Sequence, residues 1–185
     1  FLAAPPDLSL YGGLSVSNPG CGPNNADTIK CWDNMPGGSP ITLAGVVSVD
    51  PRDSIDGNPS APGLRPNVEL HGAASCPSSQ SGAIEMGDLL NPVDSTGEIV
   101  NLYVTGFCGN AIWAPRTNGF RVSNVVFSSI STDPFGQGDA LALGQYSGTF
   151  DTNQKCVFSA QVGGTGTNEQ NYFYNIAGDA ISLWD

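Results

Sequence analysis

Apolar residues recur at every second position in one segment after another, a spacing that gives an extended strand one apolar face and gives a helix none. The strongest run goes from Glu98 to Cys108, with Val100, Leu102 and Val104 on one side and Ile99, Asn101, Tyr103 and Thr105 on the other. A second long alternation follows through Phe120, Val122, Asn124, Val126, Ser128 and Ile130. Shorter ones occupy Leu8 to Val16, Ile41 to Val49, Val68 to His71, Leu141 to Phe150, Cys156 to Val162, Tyr172 to Ile176 and Ala180 to Trp184. Between them lie segments of turn chemistry, such as Pro36-Gly37-Gly38-Ser39-Pro40, Asp56-Gly57-Asn58-Pro59 and Thr117-Asn118-Gly119. Only Ala83 to Leu90 has the composition of a helix, and a short one.

Nine or ten strands without helical segments between them point to antiparallel pairing, because parallel neighbours need a crossover of about a dozen or more residues. The expectation is one all-β domain over residues 1–185, an antiparallel β-sandwich or barrel of jelly-roll or Greek-key type. It carries long loops at 18–40 and 50–67 and at most one short helix. Residues 1–17 read either as the first strand of that sheet or as an arm that adds a strand to an adjacent subunit. No repeat of regular length stands out.

Composition narrows the partners and the compartment. The 185 residues include 24 Gly and 14 Pro and are only 12% charged, which suits turns and strands better than solvated helices. A net charge of −11 repels phosphate backbones and anionic lipid surfaces, so nucleic acid is not an expected partner. No apolar run approaches the roughly 18 residues of a membrane-spanning helix. The opening Phe1-Leu2-Ala3-Ala4-Pro5-Pro6 reads as a mature end left by removal of a targeting segment. Five cysteines without a CxxC pair, and with a single histidine, read as disulfides rather than a zinc site. The preferred bridges are Cys21 with Cys31 and Cys108 with Cys156, leaving Cys76 over. Together these features place the chain outside the cell or on its surface.

Catalytic signals are sparse. There is no Gly-x-Ser-x-Gly elbow, and His71 alternates with apolar neighbours as a strand residue does. The glutamates Glu69, Glu85, Glu98 and Glu169 could supply the paired carboxylates of a glycosidase but form no local motif. No cofactor is expected, with calcium as the one open option: Asp50, Asp53 and Asp56 offer three carboxylates within seven residues of a loop, although the same residues suit a solvated turn. Trp113, Tyr103 and Asn110 lie close in sequence and form a candidate sugar platform of flat rings beside an amide. The first reading is therefore a non-enzymatic exported structural or adhesive protein that self-associates into a filament or surface layer. A carbohydrate-binding, lectin-like module that takes a glycan is the alternative, and a small secreted glycoside hydrolase the second alternative.

Overall fold

The computed structural model describes residues 94–144, 157–166 and 169–184 without a break. It also describes stretches at 15–16, 28–30, 41–42, 47–49, 52, 54–56, 68–72 and 82–86. Its strands form two sheets, and there is no helix among the described residues. The first sheet has six strands in the order β1 (Ser15–Val16), β4 (Val47–Val49), β7 (Gly82–Met86), β9 (Asn110–Ala114), β11 (Leu141–Gly144) and β14 (Ile181–Trp184). The second has eight: β2 (Thr28–Lys30), β3 (Ile41–Thr42), β5 (Ser54–Asp56), β6 (Val68–His71), β8 (Glu98–Thr105), β10 (Thr117–Ile130), β12 (Val157–Val162) and β13 (Tyr172–Ile176).

Every strand pairing is parallel, which overturns the antiparallel sandwich or barrel. The requirement for long crossovers holds, but among the described residues no helix makes them. Val104 pairs with Phe127, 23 residues on, and Phe127 with Phe173, 46 residues on; in each interval the chain passes through the first sheet. All-parallel pairing is usually met in α/β proteins whose helices cover the sheets. Here each sheet closes over the other, and the chain winds as a coil whose turns stack on one another. The expected helix at Ala83–Leu90 is also overturned over its described part. Gly82–Met86 is β7, with Ile84 and Met86 buried and Glu85 half-buried, so period-two burial decided the local structure.

Two of the strands in the second sheet bend. Asn101 (φ 61°) and Asn124 (φ 53°) sit in the left-handed region inside β8 and β10, a conformation asparagine tolerates better than other residues with a side chain. Before the bend β8 pairs with β5 and β10 with β12; after it β8 pairs with β6 and β10 with β13. The sheet thus has two arms, and with the first sheet they give the coil three faces. Asparagines tie the bends together from turn to turn. Asn124 Nδ2 donates to Asn101 Oδ1 at 2.7 Å, while Asn171 accepts from the Val125 amide and donates to the Val122 carbonyl, both at 2.9 Å. A second corner stacks Gly106, Ser129 and Asn175, all at positive φ, directly after the paired positions Thr105, Ser128 and Tyr174.

A third corner precedes the first sheet. Gly109-Asn110-Ala111-Ile112, Gly138-Asp139-Ala140-Leu141 and Gly178-Asp179-Ala180-Ile181 share one pattern, and Ile112, Leu141 and Ile181 are paired in register. The Asp139 amide donates to Asn110 Oδ1 at 3.1 Å, and the Asp179 amide donates to Asp139 Oδ1 at 2.8 Å, so each side chain receives the backbone one turn on. Inside the coil, buried residues form columns: Ile84, Ile112 and Leu141 in one, Leu70, Val104 and Phe127 in another. Phe127 stacks on Phe173 with ring centroids 5.1 Å apart and planes 2° apart.

A polar clamp joins two turns at Asp94. Its carboxylate takes the Arg116 guanidinium and, at 3.1 Å, the Asn118 amide. Burial pushes the Asp94 pKa up, but the Asn118 and Arg116 hydrogen bonds and the Arg116 charge outweigh it, so the carboxyl titrates below its ordinary 3.8. A lowered folded-state pKa stabilises the fold above the unfolded value and loses that contribution as pH falls through the folded one. Urea midpoints at about pH 6 and about pH 2.5 should therefore converge for Arg116→Ala relative to wild type. The difference is under about 1 kcal/mol, as expected of a partly exposed pair.

Candidate functional site

The outer face of the second arm carries the exposed aromatic residues of the second sheet. Leu102 and Val104 point into the core with no exposure, so Tyr103 and Thr105 between and after them point out. Parallel register then builds two rows across the turns. Glu69, Tyr103, Val126 and Tyr172 form one; His71, Thr105, Ser128 and Tyr174 form the other. Tyr172 and Tyr174 are 43% and 52% exposed, their rings nearly parallel at 6° with centroids 6.5 Å apart. Tyr103 is half-buried two strands away from Tyr172, about 10 Å at the usual strand spacing. Hydroxyls lie among the rings: Ser128 Oγ donates to Thr105 Oγ1 at 2.7 Å, and the Tyr172 hydroxyl donates to Gln170 Oε1 at 3.1 Å. The result is a flat, ring-paved surface with hydrogen-bonding groups at its centre and edge.

On the other side of the bend, Arg121 pairs with Glu98 at 3.2 Å and with Glu169 at 3.0 Å. Two of the four glutamates considered for glycoside cleavage thus meet on one guanidinium.

The three residues of the sequence-derived sugar platform are dispersed. Tyr103 belongs to the aromatic face. Trp113 lies in β9 of the first sheet, 6% exposed, and its Nε1 donates to the Gly144 carbonyl at 2.8 Å. Asn110 is buried at the start of β9, where its Nδ2 donates to Gln137 Oε1 at 3.1 Å and its Oδ1 serves the third corner. Of the calcium candidates, Asp50 and Asp53 lie outside the described residues, and Asp56 sits in β5 opposite Lys30 and Val100. No group of three or more His, Cys, Asp or Glu side chains among the described residues could hold a metal. Asp133 Oδ1 accepts the amides of Phe135 and Gln137, both at 2.8 Å, capping its own turn. Cys108 is disulfide-bonded; Cys21, Cys31, Cys76 and Cys156 all lie outside the described residues.

Tyr172 and Tyr174 did have a signal in the sequence: in Gln170-Asn171-Tyr172-Phe173-Tyr174 the two tyrosines share a strand face. Their alignment with Tyr103, nearly seventy residues earlier, came only with the parallel register. No protein-family model matches the chain, and no curated protein or solved structure matches it.

Proposed function

We propose that this chain is an exported adhesive protein whose activity is binding rather than catalysis, and that the face of Tyr103, Tyr172 and Tyr174 takes a neutral glycan. The observation that carries the reading is the nearly parallel, half-exposed pair Tyr172 and Tyr174, in register with Tyr103 and beside the Thr105 and Ser128 hydroxyls. Flat rings meet the C–H faces of sugar rings, and fixed hydroxyls meet their polar edges. A net charge of −11 favours neutral sugars over uronates. The Cys108 disulfide supports an oxidising compartment. No helix among the described residues is long and apolar enough to cross a membrane.

Titration calorimetry with neutral β-glucan oligosaccharides, and with polygalacturonate as the charged comparison, tests this. Wild type should bind the neutral ligand. Tyr172→Ala/Tyr174→Ala should weaken binding at least about tenfold, equivalent to ~1.4 kcal/mol, with its melting temperature unchanged. Equal binding by the double variant, or none by wild type, would sink the proposal, and new reducing ends released from the ligand would sink its non-enzymatic part.

A further inference from the structure

The ring-paved face differs sharply in its two dimensions. Along the strands it is short. Between the bend at Asn101 and Asn124 and the corner at Gly106, Ser129 and Asn175, all at positive φ, each strand contributes only two outward positions. They are Tyr103 and Thr105 in β8, Val126 and Ser128 in β10, and Tyr172 and Tyr174 in β13. Two such positions span about 7 Å before the backbone turns away. Across the strands the same face continues over β6, β8, β10 and β13, and none of these three ladders shifts register within the arm. The rows of side chains therefore run straight along the coil axis, over about 14 Å at the usual strand spacing.

The two rows also differ in chemistry. One sets the flat rings of Tyr103 and Tyr172 on either side of Val126, an aliphatic side chain only 8% exposed. The other sets hydroxyls on successive strands, at Thr105, Ser128 and Tyr174, the first two joined at 2.7 Å. A ligand lying along the axis meets ring faces on one side and groups that both donate and accept hydrogen bonds on the other. One lying along β13 meets two rings and then a turn. In a fully extended β-1,4-linked glycan each sugar is about as long as the gap between strands, so the chain keeps step with the turns of the coil. One sugar then rests on Tyr172, the next over Val126 and the third on Tyr103. A β-1,3-linked chain curls and falls out of step. We propose that the ligand of this face is a neutral, extended β-1,4-linked glycan that lies along the coil axis and spans the strands from Tyr103 to Tyr172. The proposal rests on the reading of the face as a glycan site and adds to it the linkage and the direction of the chain.

Titration calorimetry with cellohexaose, cellobiose and laminarihexaose tests this, the last being a β-1,3-linked chain of the same sugar and length as the first. Wild type should bind cellohexaose at least about tenfold more tightly than either of the others. Tyr103→Ala should lose about tenfold on cellohexaose, because Tyr103 lies on the path of the chain only if that path follows the axis. The comparison of ligands on wild type needs no variant, so it decides the question even if Tyr103→Ala fails to fold. Cellobiose or laminarihexaose bound as tightly as cellohexaose overturns the proposal. So does cellohexaose binding that is unchanged in a folded Tyr103→Ala but weakened in Tyr172→Ala/Tyr174→Ala; in both cases a glycan site remains, with another linkage or direction. Binding of none of the three by wild type overturns the glycan reading itself and this proposal with it.

Discussion

Phe127→Ala should lower stability by about 3–5 kcal/mol, a large share of the roughly 5–15 kcal/mol that holds a domain together. The ring is fully buried, stacks on Phe173, and is paired with Val104 on one side and Phe173 on the other. Collapse into the cavity is restricted, because the backbones above and below are held at strand spacing by the parallel ladders. In a stacked coil each turn leans mainly on its neighbours, so the loss should be uneven along the chain. Hydrogen exchange should show Tyr172–Ile176 losing protection before Glu98–Thr105, and a urea titration should show the midpoint falling. Phe135→Ala, whose side chain is half-exposed, should shift the midpoint by less than about 0.5 kcal/mol. A Phe127→Ala protein within that range would show that the columns do not carry the fold.

Gly144→Ala should be nearly as damaging for a different reason. Gly144 has φ +91°, and a Cβ added there would overlap the Trp184 carbonyl of the neighbouring strand. The backbone strain alone amounts to about 1–3 kcal/mol. The collision adds to it, because relief means pushing β14 off β11, where Leu141 to Gly144 pair with Ile181 to Trp184. Moving Gly144 instead would pull its carbonyl from Trp113 Nε1. Gly119 separates the two effects: it has φ +94° with nothing within 4 Å of an added Cβ. Gly119→Ala should show the strain only, and Gly144→Ala should melt several degrees lower, with altered tryptophan fluorescence. Equal melting temperatures in the two variants would refute the collision.

Much of the coil was written in local sequence. The alternations at Glu98–Cys108 and Phe120–Ile130 located the two longest strands, although Thr117 to Gly119, read as a turn, begin β10. Leu102, Val104, Phe120 and Val122 are buried as period two requires, but the bend at Asn124 shifts the phase, so that Val125 and Phe127 are buried and Val126 joins the outer row. The corners were visible but unread. Asn101 and Asn124 lie inside apolar alternations where asparagine is a poor strand former, and the Gly-Asn/Asp-Ala pattern occurs three times. Its copies escape a search for regular repeats because Asn110, Asp139 and Asp179 are 29 and then 40 residues apart, the loops between turns differing in length. The candidate site was half legible. Tyr103 was singled out, but for a partnership with Trp113 that the coil divides between two sheets.

What the residues determined by themselves is that the chain forms strands, which side chains a strand buries up to its next bend, and where it can turn left-handed. Those are properties of single residues and their immediate spacing. The direction of pairing is different in kind. Period two is the same in parallel and antiparallel strands, and the ladder is made by peptide groups that every residue except proline carries alike. Only the fold, by stacking turns from 23 to 46 residues apart, decided that the strands run one way and that Tyr172 and Tyr174 share a face with Tyr103. The same stacking sets Leu183, 67% exposed, beside the buried Leu143.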